Sequence, residues 1–124
     1  MDTTTLVDFD NETGKQITQA LDSYGIPVKA SLWLFATEAS EWRLIIATPF
    51  VDKMGPQRTY SVIQKALRQV DFPLRKISVV SPNDNLIKLL RVALRTGKEI
   101  SDIRFTHNTI NNVYIEDAYI YRLL

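Results

Sequence analysis

The chain contains no cysteine and a single histidine, His107. The lack of cysteine excludes disulfide bonds, thiol nucleophiles and cysteine-ligated zinc, and it agrees with a reducing compartment. A bound metal would therefore need oxygen ligands alone. The alternating acids Asp8, Asp10 and Glu12 are better explained by a helix start, where the helix dipole favours negative charge. We expect neither a metal site nor a cofactor.

Glycine and long apolar runs are also scarce. Gly14 and Gly55 stand alone among four glycines, so no glycine-rich loop is available to cradle phosphate groups. No apolar run approaches the roughly 18 residues that a membrane-spanning helix needs. Residues 1–12 lack a basic region followed by an apolar run, unlike a secretory signal. These absences predict a cytoplasmic protein without a membrane segment.

Charge is unevenly distributed along the chain. The 124 residues suffice for one domain, and their net charge is +1. Residues 1–57 hold four Lys/Arg and eight Asp/Glu, a net −4, whereas residues 58–124 hold eleven Lys/Arg and six Asp/Glu, a net +5. This asymmetry favours a nucleic-acid-binding face or self-association between unlike surfaces. The alternative is that folding interleaves the two halves of the chain, in which case the charge asymmetry has no functional meaning.

The stretch from Ser31 to Pro49 is the part of the chain around which the rest is organised. Two apolar runs, 32–36 and 44–47, flank a short polar break. Short runs rich in aromatic and β-branched residues are typical of buried strands, and the break is short enough for a hairpin. The pattern predicts antiparallel strands at 28–37 and 41–48.

The remaining segments alternate between helical and strand patterns. They predict helices at 10–24, 56–70 and 83–96, and strands at 76–80, 103–110 and 113–122. Asn111-Asn112 suits the positive φ angles of a tight turn between the last two strands. The order α-β-β-α-β-α-β-β predicts an α+β domain, residues 9–124, in which three helices cover a single mixed sheet of about five strands. Residues 1–8 are expected to form a flexible N-terminus.

Two stretches, ISVVSPNDNLIKLLRVALRTG and IRFTHNTINNVYIEDAYIYRL, resemble a family of short uncharacterised bacterial proteins. The resemblance spans most of the chain. It implies a bacterial cytosolic setting. Because that family has no assigned activity, the resemblance assigns no functional residue.

The C-terminal hairpin contains the one pairing that suggests acid–base chemistry. With Asn111-Asn112 as the turn, His107 lies opposite Glu116, and Tyr114 is a diagonal neighbour that could donate a proton. A carboxylate bonded to an imidazole fixes the tautomer that a general base requires. The alternative is a surface cross-strand pair, since no nucleophile accompanies it.

Four basic residues follow one another on and just beyond the predicted helix 83–96. Lys88, Arg91, Arg95 and Lys98 fall within an arc of roughly 80°, with no acidic residue in the stripe. Such a basic edge could hold phosphate or nucleic acid. The alternative is that a largely buried helix needs one solvated edge.

Three tyrosines, Tyr114, Tyr119 and Tyr121, occupy the last strand. Tyrosine is enriched at protein interfaces, although these rings could instead pack under a neighbouring helix. We therefore predict a non-enzymatic binding or assembly module that forms a homodimer through the C-terminal hairpin and works with a protein partner encoded nearby. The alternatives are a phosphate- or nucleic-acid-binding accessory protein and a small enzyme centred on His107 and Glu116.

Overall fold

The computed structural model describes residues 8–124, with side chains from Asn11 onward. The elements in chain order are α1 (Asp8–Ser23), β1 (Ala30–Ala36), β2 (Glu41–Ala47), α2 (Phe50–Ala66), β3 (Ile77–Val80), α3 (Asn85–Ala93), β4 (Ile103–Ile110) and β5 (Val113–Leu123). A short 3₁₀ turn, Leu74–Lys76, precedes β3. The predicted flexible segment 1–8 lies outside the described residues, except for Asp8, where α1 begins.

The five strands form one mixed sheet in the order β3-β2-β1-β5-β4. β1 pairs antiparallel with β2 and β5, and β4 pairs antiparallel with β5. β3 lies parallel to β2, because α2 crosses over between the two strands. The predicted α+β fold, with three helices and a single five-stranded mixed sheet, is confirmed.

Alternation of side chains along the strands divides the core between the two faces of the sheet. On one face, α1 and α2 bury Ile17 and Ile63 against Trp33 of β1. On the other face, α3 buries Ile87 against Leu32 of β1. Full burial of each such side chain contributes roughly 1.5–3 kcal/mol, so these two clusters supply the main stabilisation of the fold.

Two helices differ from the prediction by more than two residues at one end or both. α2 spans Phe50–Ala66 instead of 56–70, and it kinks at Gly55, where φ is 83°. The predicted proline-led start is therefore the start of its second segment. α3 ends at Ala93, short of the predicted residue 96. It ends early because Thr96 is tied to β5: its N–H donates to the Leu123 carbonyl at 2.8 Å, and its Oγ1 accepts from the Leu123 N–H at 2.8 Å.

At Gly14, α1 approaches the sheet closely. A Cβ at this position would overlap the Tyr121 hydroxyl and lie 2.6 Å from Nε1 of Trp33. The Trp33 indole N–H donates to the Tyr121 hydroxyl, which donates to the Asn11 carbonyl at 2.6 Å. Glycine costs about 1 kcal/mol in a helix interior relative to alanine. It is nevertheless required here, because this hydrogen-bond chain fills the space that a side chain would occupy.

We expect Gly14→Ala to lower the free energy of unfolding by about 1–3 kcal/mol, since the added methyl forces the packed groups apart. Gly97→Ala is the matched control, because no atom lies within 4 Å of a Cβ at Gly97. The free energy of unfolding of Gly97→Ala should stay within about 0.5 kcal/mol of the wild-type value. Urea denaturation of both variants measures the difference, and equal losses would contradict the close approach.

Burial raises the pKa of the Tyr121 hydroxyl above its usual value. A raised folded pKa means that this phenol stabilises the fold fully below its unfolded pKa of about 10, and that the contribution is lost as pH rises through the folded pKa. Above pH ~10, wild type should therefore lose stability more steeply than Tyr121→Phe, by up to about 1.4 kcal/mol per pH unit.

At pH 7 the same variant should be less stable by about 1 kcal/mol, because Trp33 and Asn11 lose their shared partner. Denaturant titrations of wild type and Tyr121→Phe from pH 7 to about pH 11 give both quantities. If the free energies of unfolding of wild type and variant fall equally with pH above pH ~10, the phenol has the same pKa in the folded and unfolded states.

The outer edge of β3 is closed by a side chain from α2. The Tyr60 hydroxyl accepts from the Val79 N–H at 3.0 Å and donates to the Ile77 carbonyl at 3.2 Å. One hydroxyl thus satisfies a donor and an acceptor of this edge strand. Such a closure prevents another strand from pairing there.

The β4 edge is interrupted in a different way. His107 takes a φ of 49° in the middle of the strand, and the Asn108 side-chain amide donates to the Thr106 carbonyl at 2.8 Å. The irregular backbone conformation at His107 and the side-chain hydrogen bond to a strand carbonyl both oppose the pairing of this edge with another strand.

Candidate functional site

The C-terminal hairpin has the predicted register, interrupted at His107. Arg104 pairs with Tyr119 and Thr109 with Tyr114, as a two-residue turn at Asn111-Asn112 requires. The ladder does not pair His107 with Glu116. The positive φ of His107 explains the gap, because it turns the backbone out of the strand conformation.

The regular alternation of side chains between the two faces of the sheet is interrupted at the level of His107 in both β4 and β5. Phe105 and Ile110 of β4 pack on the α3 side, although five positions apart. Across the ladder, Ala118 and Ile115 do the same, three positions apart. Because alternate residues normally share a face, each strand carries one extra residue here. Because both strands carry the irregularity, the same pairing register continues on both sides of it.

His107 contacts Tyr114 instead of Glu116. Its Nδ1 lies 2.8 Å from the Tyr114 hydroxyl, in an exposed position. The neighbouring Asp117 forms a two-point pair with Arg104, whose Nε donates to Oδ1 at 2.6 Å. This hydrogen bond raises the pKa of Arg104. The three candidates for acid–base chemistry are thus reduced to an exposed His–Tyr contact near the hairpin turn.

The four residues of the predicted basic stripe do not share one helical edge. Only Lys88 and Arg91 lie within α3. Lys88 is exposed, whereas Arg91 is half-buried and donates to two backbone carbonyls, at 2.6 and 3.0 Å. Arg95 is exposed in the extended segment that follows, and Lys98 lines a cleft elsewhere. An uninterrupted basic edge is therefore not formed.

The three tyrosines of β5 lie in different environments. Tyr121 is fully buried, and the half-buried Tyr119 ring lies 5.6 Å from it. Tyr114 is 54% exposed and its neighbour Val113 is 46% exposed. β5 lies between β1 and β4, so it is not the edge strand of the sheet. Of the predicted interface tyrosines, Tyr114 is the one that presents most of its ring to solvent.

A cleft of about 690 Å³ opens where the loop after α1 meets the end of β5. Four of its lining side chains are charged, namely Asp22, Lys29, Lys98 and Arg122. The apolar part of its lining comes from Ile26, Pro27, Val28, Phe50 and Leu124. Its volume falls in the range of small-molecule sites, which combine apolar walls with a few polar groups.

The C-terminus of α1 shapes one wall of this cleft. Gly25 takes a φ of 87°. The Ile26 N–H donates to the Leu21 carbonyl at 3.0 Å, and the Gly25 N–H donates to the Asp22 carbonyl at 3.1 Å. These two bonds form a Schellman motif, which requires a left-handed residue and so favours glycine. The turn buries Ile26 and leaves Asp22 in the last turn of α1, near β5.

A β-bulge in β5 positions Arg122. The ladder with β1 shifts by one residue at Tyr121. Two consecutive side chains, those of Tyr121 and Arg122, consequently reach α1. Strict alternation would place Arg122 on the face of Ile120 instead. Sequence analysis therefore missed Arg122 as a site residue, although an arginine in a mostly apolar strand was an available signal.

Arg122 forms a two-point ion pair with Asp22. Nη1 donates to Oδ1 and Nη2 to Oδ2, both at 2.8 Å. The Arg122 side chain is 7% exposed and that of Asp22 is 38% exposed. Arg122 Nε is buried without a hydrogen-bond partner among the described residues. The guanidinium is thus desolvated more fully than its counter-ion.

Two lysines add positive charge to the cleft. Lys29 and Lys98 are both exposed, and no ion pair in the described part of the chain includes either. The lining side chains therefore carry three positive charges and one negative charge. Because a cleft with low-dielectric walls focuses this imbalance, it favours an anion.

No group of three or more His, Cys, Asp or Glu side chains that could hold a metal occurs within the residues described. None of the helices there is long and apolar enough to cross a membrane.

No protein-family model matches this chain, and neither does any curated protein or solved structure. The assignment of the cleft as a candidate site therefore depends on its geometry and charge.

Proposed function

We propose that this protein is a non-enzymatic binding module that holds a small amphipathic anion in the cleft beside Arg122. The observation that carries the proposal is the buried guanidinium of Arg122, which lines the same partly apolar cleft as Lys29 and Lys98. Burial of a charged group is costly, so a buried arginine beside a cleft is typical of a site for a negatively charged group.

Binding without catalysis is favoured by the lining residues themselves. The one carboxylate among them, that of Asp22, is held in the pair with Arg122. The lining includes no histidine, serine or threonine. Among the described residues, the lining therefore supplies neither a hydroxyl nucleophile nor a free carboxylate that could act as a general base.

The apolar walls restrict the kind of anion. Phe50 and Pro27 offer hydrophobic surface next to the cationic groups. A ligand that carries both an anionic head and an apolar tail would satisfy both parts of the cleft. A long nucleic-acid strand fits less well, because Lys98 alone among the four predicted stripe residues lines the cleft.

Chemical-shift mapping tests the proposal directly. ¹⁵N-labelled protein is titrated with hexanoate and hexyl phosphate, and with hexan-1-ol and hexylamine as neutral and cationic controls with the same number of carbon atoms. We expect the two anions to shift the amide resonances of residues 25, 26, 28, 29, 98 and 122. Equal responses to all four compounds would show that the cleft does not recognise charge.

Reversing one charge should weaken anion binding. We expect Lys98→Glu to raise the Kd for hexanoate about fivefold, equivalent to ~1 kcal/mol for an exposed charge. Lys88→Glu is the matched control, because Lys88 is an exposed lysine of α3 outside the cleft. Isothermal titration calorimetry of both variants measures the difference. A similar loss in both would indicate a non-specific effect of net charge.

A second proposal is self-association of two copies through the tip of the C-terminal hairpin. Val113 and Tyr114 are adjacent, apolar and about half exposed there. Because Tyr60 closes the β3 edge and His107 interrupts β4, the contact would be made by side chains rather than by a continuous sheet.

Light scattering tests this association. We expect wild type to reach a dimer mass at high micromolar concentration and Tyr114→Ser to shift the equilibrium towards monomer, with about tenfold weaker association for loss of one aromatic anchor. Tyr24→Ser is the matched control, because Tyr24 is similarly exposed, at 52%, beyond the end of α1. A monomer mass for wild type at that concentration would end the proposal.

A further inference from the structure

The Arg122 fork already holds a carboxylate. Nη1 and Nη2 each donate to one oxygen of Asp22 at 2.8 Å, which is the parallel two-bond geometry that guanidinium groups form with carboxylates. Both groups line the cleft. The position that the proposed ligand needs for its anionic head is therefore occupied by a side chain of the chain itself.

Asp22 is poorly placed by its own helix. It is the penultimate residue of α1, where the partial negative charge of the helix C-terminus disfavours a carboxylate. Its side chain is 38% exposed, so rotation into solvent would not open the core. Its bound position thus depends on the attraction of Arg122.

A carboxylate ligand could take the place of Asp22 without loss of hydrogen bonds. The ligand would form two N–H···O bonds and one ion pair with Arg122, which replace the two bonds and the ion pair that Asp22 gives up. The displaced Asp22 carboxylate becomes hydrated. We infer that Asp22 acts as an internal competitor, and that the ligand of this cleft is an amphipathic monocarboxylate that exchanges with Asp22 on Arg122. This inference depends on the function proposed above.

Monocarboxylates fit this exchange better than phosphate esters. A carboxylate is planar and carries the single charge that Asp22 carries. A phosphate monoester carries more charge, whose desolvation beside Phe50 and Pro27 is more costly. The apolar walls then receive the hydrocarbon tail.

The test uses the 124-residue chain, labelled with ¹³C and ¹⁵N and titrated with hexanoate. We expect the Asp22 Cγ resonance to move to the position of a solvated carboxylate, together with a shift of the Arg122 Nε resonance. Asp22→Asn weakens the competitor and should lower the Kd for hexanoate about fivefold, with a smaller gain for hexyl phosphate. Asp102→Asn is the matched control, because Asp102 pairs with Lys15 at 2.9 Å and does not line the cleft.

The outcomes separate this inference from the proposed function. If hexanoate binds while the Asp22 resonance and the Asp22→Asn affinity stay unchanged, the exchange is wrong and the anion-binding cleft stands. Stronger binding and a larger gain for hexyl phosphate would overturn the carboxylate assignment. If no anion binds any variant, both proposals fail. If Asp22→Asn does not fold, the wild-type Asp22 resonance decides alone.

Discussion

The β-bulge at Tyr121 is the constraint on which the position of α1 depends. Without the extra residue, Tyr121 and Arg122 would point to opposite faces of the sheet, and only one of them could reach α1. With it, Tyr121 bonds the first half of the helix through Asn11, and Arg122 bonds its last turn through Asp22. The helix is therefore fixed at two points by consecutive residues of one strand.

This attachment links the core to the cleft. The Tyr121 hydroxyl occupies the space that a side chain at Gly14 would fill. The absence of that side chain lets α1 lie close to Trp33 of β1. The same strand segment places Arg122 in the lining of the cleft, which also includes Gly25 of the Schellman turn. Tyr121, which packs in the core, and Arg122, which lines the cleft, are thus separated by a single peptide unit.

Local patterns were sufficient to predict most of the fold. Apolar periodicity predicted the order of helices and strands, and Asn111-Asn112 predicted the hairpin register, in agreement with their φ angles of 48° and 68°. The two irregularities of the sheet, at His107 and Tyr121, were not predictable in this way. The bulge at Tyr121 is stabilised by tertiary contacts such as that between Tyr121 and Asn11, and tyrosine is not a residue type that favours a bulge locally. The early end of α3 has a similar cause, since Thr96 bonds to β5 rather than to its own helix.

The candidate site was less predictable than the fold, because it is assembled from distant segments. Asp22, Lys29, Lys98 and Arg122 each stand alone in the sequence, and no spacing rule relates them. Lys98 was predicted to belong to a helical stripe, whereas in the structure it lies beyond the end of α3 and lines the same cleft as Arg122. By contrast, Arg91 belongs to the stripe in sequence and donates to backbone carbonyls in the structure.

The closure of β3 by Tyr60 gives α2 a role in protecting a sheet edge as well as in packing. Whenever α2 detaches, the Tyr60 hydroxyl leaves with it, and the Ile77 carbonyl and Val79 N–H become free to pair with another chain. The same opening uncovers the buried surface beneath Ile63. Aggregation of this protein would therefore be governed by the local opening of one helix, with a free energy below that of global unfolding. The kink at Gly55 divides α2 into two segments, and Tyr60 and Ile63 both lie in the second.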